Sequence, residues 1–192
     1  MLYCKCYAAQ SESVCDFRLF AKTIISAYTE GHGMKIEKAN FGDLQKILDL
    51  QYLAYQSEAE LLGDYDIPPL KQKLTDIEKE FSRGIILKAV DENGDIIGSV
   101  RAYEEFSTIY IGKLIVHPSH RKKGIGTALL LEAEKAFAAE RCELFTSDKS
   151  ADNIRLYEKC GYKKFTEKEA SPSLRFVFLQ KNMQSSSACD AI

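Results

Sequence analysis

The segment His117-Pro118-Ser119-His120-Arg121-Lys122-Lys123-Gly124-Ile125-Gly126-Thr127-Ala128 constrains this chain more than any other. It follows a β-branched run over residues 109–117 and opens an apolar, alanine-rich stretch over 126–140 that reads as a helix. A chain that leaves a strand and enters a helix through Gly-x-Gly presents unpaired backbone amides. Gly124 and Gly126 let an anion approach without interference from a Cβ. The first amides of the helix have no intrahelical acceptor, and the helix dipole adds positive potential there. Arg121, Lys122 and Lys123 place cations at the mouth, Ile125 contributes a backbone amide, and Thr127 offers a hydroxyl. The segment therefore reads as a pyrophosphate cradle. It lacks the Gly-Lys-Ser/Thr ending of a nucleotide P-loop and the third glycine of a dinucleotide fingerprint.

The pattern around this loop alternates strand-like and helix-like segments. A short strand is expected over 35–38. Asn40 can cap a helix, with Asp43 in its first turn, and Leu44, Ile47, Leu48 and residues 50–53 give it an apolar stripe. Residues 63–69 hold Gly63, Pro68 and Pro69 and read as a loop, followed by an amphipathic helix over 70–81. Strands follow at 85–90 and 96–103, joined through Asn93-Gly94, a pair that suits a two-residue type I′ turn. Residues 104–108 turn the chain into the 109–117 strand. After the long helix come a strand at 144–146, a helix at 153–159 stopped by Gly161, and strands at 162–165 and 174–179. The order β-α-α-β-β-β-α-β-α-β-β implies an α/β fold with a mixed, mostly antiparallel sheet and helices on both faces.

Two markers carry a family resemblance. Arg121-x-x-Gly124-x-Gly126 with Thr127-Ala128 resembles the acetyl-CoA pyrophosphate motif of the GNAT (GCN5-related) N-acetyltransferases, and Leu114-Ile115-Val116-His117-Pro118 resembles the strand beside the acetyl and pantetheine groups in that family. Downstream, Asn153 and Tyr157 on a helix before Cys160-Gly161-Tyr162 resemble the family's second marker. The similarity spans roughly residues 34–180. It implies a sheet splayed between two parallel strands, acetyl-CoA as co-substrate with no metal, and acetyl transfer to a primary amine of a small molecule or peptide. The alternative it leaves open is a degenerate member of the same fold that senses acyl-CoA without turning it over.

The resemblance also implies roles. Backbone groups of Leu114, Ile115 and Val116 would meet the pantetheine arm and the acetyl oxygen. Tyr157, a phenol protonated at neutral pH, would give its proton to the leaving thiolate. Asn153, one turn earlier on the same helix face, would bond the cofactor; equally, it suits a first-turn or capping position. Many members carry a Glu on the strand before the phosphate loop, but here Ile109-Tyr110-Ile111-Gly112-Lys113 has no carboxylate. Glu104 or Glu105 is the candidate base, directly or through water, with an ordered water chain or plain turn residues as alternatives. His117 at the strand end reads as structural. The acceptor region combines Tyr52 and Tyr55 with Glu58, Glu60, Asp64 and Asp66; aromatic faces with carboxylates suit an ammonium-bearing acceptor, so Tyr55, Glu58 and Asp64 are the candidate substrate residues.

Bulk properties set the remaining expectations. The 192 residues suit one domain, and a formal net charge of -2 gives no basic face for nucleic acid. No apolar run approaches the length of a membrane span. The six cysteines, Cys4, Cys6, Cys15, Cys142, Cys160 and Cys189, are expected as reduced thiols in a cytoplasmic protein, with Cys142 and Cys160 as small core residues. Cys4-x-Cys6 lacks a second ligand pair for a metal site. Members of the family are often dimers, so the expected partners are an amine acceptor and a second copy. Residues 1–33 match nothing in the family pattern and read as a non-native or poorly ordered extension, with Met34 as the expected native start; 34–182 form the domain, and 183–192 a flexible tail.

Overall fold

The computed structural model describes residues 33–172 and 174–183. The expectations about residues 1–33, the Cys4-x-Cys6 pair and the 183–192 tail lie outside these residues or at their margins. Among the described residues, seven strands form one sheet in the order β1-β2-β3-β4-β5-β7-β6. They are β1 (Lys35–Lys38), β2 (Ile85–Val90), β3 (Ile96–Glu105), β4 (Thr108–Val116), β5 (Arg141–Ser147), β6 (Lys163–Ser171) and β7 (Leu174–Asn182). All neighbours are antiparallel except β4 and β5. The helices are α1 (Leu44–Leu62), α2 (Pro68–Lys71), α3 (Leu74–Arg83), α4 (Ile125–Ala133) and α5 (Ala151–Lys159). No helix among the described residues is long and apolar enough to cross a membrane.

Two apolar layers follow from strand alternation. On one face, Leu87, Ala89, Val100, Ile109, Ile111, Cys142 and Leu144 pack under α4 and α5, with Leu129, Leu130 and Tyr157. On the other, Ile86 packs with Leu44, Ile47, Leu48 and Ile77 of α1 and α3, and Ile115 packs with Leu50 and Ala54. Charged residues within buried strand stretches are paired. Lys88 donates to Asp43 at 2.8 Å, and Lys181 meets Glu134 at 2.6 Å with both side chains buried. Cys142 and Cys160 are buried, as expected of small core residues.

Several local expectations change. Asn40 and Asp43 form a reciprocal capping box, but around a 3-10 turn, Phe41–Asp43, that leads into α1. Leu53 is exposed, because the buried stripe of α1 passes through Gln51 and Ala54 instead. Pro68 and Pro69 start the short helix α2 rather than ending a loop, since proline suits the first helical positions, and α3 begins only at Leu74. The regular part of α4 stops at Ala133, well short of 140. The hairpin after β2 is not a two-residue turn. Asp91 accepts the amides of Asn93 and Asp95 on its carboxylate, Gly94 donates to Asp91 O, and only Gly94 has positive φ, +84°. That is a three-residue loop closed by a left-handed glycine. The type I′ signature of two positive φ values falls instead on Phe106 and Ser107, between β3 and β4.

Candidate acyl-transfer site

Strands β4 and β5 pair over residues 108–110 and 141–143 only. Beyond Tyr110 they part, and β5 continues against β7 alone. The result is a V-shaped gap lined on one side by the end of β4. His117 N–H donates to Ile97 O across β3 at 2.8 Å, and Ile115 is in register with Ser99. Backbone groups of successive strand residues point to opposite sides, so those of Leu114 and Val116 face the gap. Backbone groups that face such a cleft can donate to or accept from a ligand that lies along the strand.

The candidate phosphate loop follows directly from the end of β4 that borders the gap. A 3-10 turn, Pro118–His120, leads into Lys122 with φ +61° and Gly124 with φ +83°, and Gly124 then serves as N-cap of α4. Two left-handed residues flanking Lys123 turn successive amides inward, the geometry of an anion nest. The first intrahelical bond closes onto Gly124 O from Ala128 N, so the amides of Ile125, Gly126 and Thr127 are left without intrahelical acceptors. Arg121, Lys122 and Lys123 are exposed, whereas the Ile125 side chain is buried in the core and leaves only its backbone for the loop.

Arg121 does something the sequence did not suggest. Its guanidinium donates to Ala54 O at 2.7 Å and Ser57 Oγ at 2.8 Å on α1, and to Val116 O at 3.4 Å. It therefore braces the phosphate loop against α1 and caps a carbonyl at the edge of the gap. Asn153 lies in the third position of α5, not at its cap, and reaches Thr146 Oγ1 at 3.4 Å.

Tyr157 is 8% exposed and packs edge-on to Tyr162. Burial pushes its phenol well above the ordinary range, reinforced by Tyr55 and Glu58 nearby. Tyr55 is likewise pushed up to about 12, by burial first; Arg101 opposes that shift, and Glu58 and Glu80 add to it. Both phenols are thus protonated throughout the physiological range. Glu58 Oε1 accepts from Ser150 Oγ at 2.5 Å, which ties the C-terminal half of α1 to the residue before α5. Tyr55, Glu58, Ser150 and Tyr157 therefore gather around the open end of the gap.

The other acidic candidates lie elsewhere. Glu104 accepts the amide of Ser107 at 2.7 Å within the β3–β4 turn, and Glu105 pairs with Arg83 at 3.4 Å. Glu105 is in register with Thr108, at the closed end of the β4–β5 pair. Leu114 is six residues further along β4, ~20 Å at the strand rise. Asp64 is exposed and caps the amide of Asp66, and Asp66 pairs with Lys71. Of the four acids considered for the acceptor, Glu58 is the one this structure ties to the gap.

A polar cluster beneath α1 escaped sequence reading. Arg101, 6% exposed, donates to Gln51, Gln72 and Glu80, and Glu80 also accepts from Lys113 at 2.6 Å. An arginine within the apolar β3 run was itself a signal, since a buried cation demands a partner. Nothing in the sequence said which acid that partner was.

A splayed parallel pair with a nest of backbone amides at its end is a geometry suited to an extended anionic ligand. A profile of the Acetyltransferase (GNAT) family matches residues 44–162, and the chain belongs to that family. It is similar to the UPF0157 protein YqkA of Bacillus subtilis, 33% identical over 136 residues, which are 70% of this chain and 39% of that protein. The chain thus spans well under half the length of that curated relative. Among solved structures, it resembles the PaiA N-acetyltransferase of Thermoplasma acidophilum in complex with coenzyme A, with a TM-score of 0.66 at 20% identity over 78% of this chain and 99% of that one. It also resembles the ribosomal-protein-S18-alanine N-acetyltransferase of Escherichia coli, with a TM-score of 0.63 at 16% identity over 81% and 99%. These likenesses establish the fold, and family membership supports acyl transfer from acetyl-CoA.

Proposed function

We propose that this chain transfers the acetyl group of acetyl-CoA to a primary amine of a small molecule or peptide. The observation that carries the reading is the juxtaposition of three things: the gap-facing backbone of Leu114 and Val116, the nest at Lys122–Gly124, and the protonated phenol of Tyr157. The pyrophosphate sits on the amides that open α4, helped by Arg121, Lys122, Lys123 and Thr127. The pantetheine arm lies along β4 against Leu114 and Val116, with Asn153 beside it; Ile115, expected to share this role, turns its backbone to Ser99 of β3 and its side chain under α1 instead. A gap-facing N–H polarises the thioester carbonyl.

The chemistry is a direct displacement. The amine nitrogen forms a bond to the carbonyl carbon, the C–S bond breaks, the departing thiolate takes the proton of the Tyr157 hydroxyl, and the second proton lost by the nitrogen as the amide forms restores that hydroxyl through water. Glu58 receives the proton from the acceptor ammonium, directly or through a water, and Tyr55 offers it an aromatic wall. Glu58 replaces Glu104 and Glu105 in this role because it is bonded across the open end of the gap, whereas they occupy the turn at its closed end.

The test is acetyl-CoA turnover, read by free thiol release, over a panel of polyamines, amino acids, aminoglycosides and peptides with free amines. Wild type and Tyr157→Phe are compared. Turnover with one acceptor class, reduced about 100-fold or more in the variant, is the expected result for loss of a general acid. Acetyl-CoA binding with no turnover on any amine would refute it.

A further inference from the structure

Strand β4 contains one residue too many for the register it keeps. Arg101 is opposite Gly112 and Ser99 is opposite Ile115, so two steps on β3 correspond to three on β4. The irregularity sits at Lys113, whose φ of +49° lies in the left-handed region that a side chain disfavours. Its consequence is a change of face. Ile111 packs under α4, yet Ile115, four residues on and of the same parity, packs under α1 with Leu50 and Ala54. Leu114 and Val116 move to the α4 side. Without the extra residue, every side chain and backbone group beyond Gly112 would be turned the other way.

A single carboxylate grips both sides of this bulge. Glu80 of α3 accepts from Lys113 Nζ at 2.6 Å on Oε1 and from Arg101 Nη1 on Oε2, and Arg101 is the residue opposite Gly112. Gln72 donates to Glu80 Oε1 at 2.7 Å. We infer that Glu80 is a positioning residue for acyl transfer: through Lys113 it holds the bulge that aims the backbone of Leu114 and Val116 into the β4–β5 gap. Burial favours the neutral acid, but Arg101 and Lys113 outweigh it and hold Glu80 below the usual carboxylate range, so the grip is ionic at neutral pH.

The inference rests on the proposed function for its affinity readout and on the fold alone for its second. Acetyl-CoA dissociation constants are measured by calorimetry for wild type, Lys113→Ala, Lys113→Gly and Glu80→Gln. Both Lys113 variants lose the ion pair, but only glycine adopts the left-handed conformation without cost. Lys113→Ala is therefore expected to bind at least about fivefold more weakly than Lys113→Gly, and Glu80→Gln to weaken binding in the Lys113 background but by less than about twofold when combined with Lys113→Gly. Equal affinities for the alanine and glycine variants, or an equal loss from Glu80→Gln in both backgrounds, would overturn it. Amide hydrogen exchange on the free proteins supplies the second readout. In wild type and Lys113→Gly, Ile115 and His117 amides are expected to be protected and those of Leu114 and Val116 to exchange, with that contrast lost in Lys113→Ala. If wild type binds no acetyl-CoA, the functional reading fails, and the exchange pattern still decides the role of the bulge: an unchanged pattern in Lys113→Ala sinks it.

Discussion

The two glycines of the phosphate loop look alike in sequence, yet the structure assigns them opposite sensitivities. Gly124 has φ +83° at the N-cap of α4. Any other residue there must either accept a left-handed backbone, at about 1–2 kcal/mol, or move the loop. Gly126 is inside the first turn of the helix with ordinary dihedrals. A Cβ built there would meet Val116 Cγ2 at 3.7 Å and Leu156 Cδ2 at 3.8 Å, which is normal van der Waals contact. Alanine at that position also gains up to about 1 kcal/mol of helix propensity. For a chain of this length, 1 kcal/mol moves the melting temperature by roughly 2–4 °C. Gly124→Ala is thus expected to melt about 2–8 °C below wild type, and Gly126→Ala to melt at the wild-type value or up to about 4 °C above it. The same displacement rotates the nest amides, so acetyl-CoA affinity should fall about tenfold in Gly124→Ala, equivalent to ~1.4 kcal/mol, and change less than about threefold in Gly126→Ala. Thermal melts and calorimetric titration of the two variants check both halves. If Gly124→Ala melts at or above wild type, or if Gly126→Ala is the less stable of the pair, the assignment of left-handed strain to Gly124 is wrong.

Arg121→Ala removes three hydrogen bonds between the phosphate loop, β4 and α1, at Val116, Ser57 and Ala54, and should cost about 1–3 kcal/mol in melts as well as weakening acetyl-CoA binding; unchanged stability would show the brace to be idle. Glu58→Gln should lower kcat with the acceptor at neutral pH about tenfold or more, with partial recovery as pH rises and free amine becomes abundant, while Glu104→Gln and Glu105→Gln stay within about twofold of wild type in steady-state assays. Acid should destabilise the fold through Glu80 and Asp43. Both carboxyls are held below the usual carboxylate range in the folded protein: burial opposes this, but Arg101 and Lys113 outweigh it at Glu80, and Lys88 with the Asn40 amide outweighs it at Asp43. Such groups contribute stability that is fully present above the unfolded pKa and is lost as pH falls through the folded one. Urea titrations from pH 7 down to about 3 should therefore show a shallower decline for Glu80→Gln than for wild type, and parallel declines would dissociate Glu80 from acid sensitivity.

What the sequence made legible is what local chemistry determines. The order of strands and helices, the capping by Asn40, the stop at Gly161 and the strand–loop–helix passage at 109–128 each depend on residues close together in the chain. So did the two family markers, which lie within single elements. The places of Arg121, Glu58 and Glu80 were not legible, because each is fixed by a partner 33 to 92 residues away in the chain: Lys113 for Glu80, Ala54 and Ser57 for Arg121, Ser150 for Glu58. Glu104 and Glu105 were attractive as bases because they are near the β4 run in sequence. A strand converts nearness in sequence into length, so they ended at the wrong end of it.

Asn93-Gly94 is the pair that suits a left-handed turn, yet the left-handed pair falls at Phe106-Ser107. Asn-Gly lowers the cost of positive φ at two positions, but Asp91 offers its carboxylate to the amides of Asn93 and Asp95 and draws the chain into a longer loop that needs only Gly94 left-handed. Phe106 and Ser107 have no such intrinsic preference. They occupy positive φ because β3 and β4 are locked in register on both sides of them, from Glu105 opposite Thr108 back to Arg101 opposite Gly112. Lys113 is the third non-glycine residue in β3–β4 to be held this way, and it lies three residues past Tyr110, the last residue of β4 paired with its parallel neighbour. Local propensity therefore governs the exposed β2–β3 turn, and sheet pairing overrides it along β3 and β4. The strand that borders the gap is the one whose conformation depends most on its neighbours, so substitutions under α1 and α3 are expected to reach the proposed acyl site without touching it.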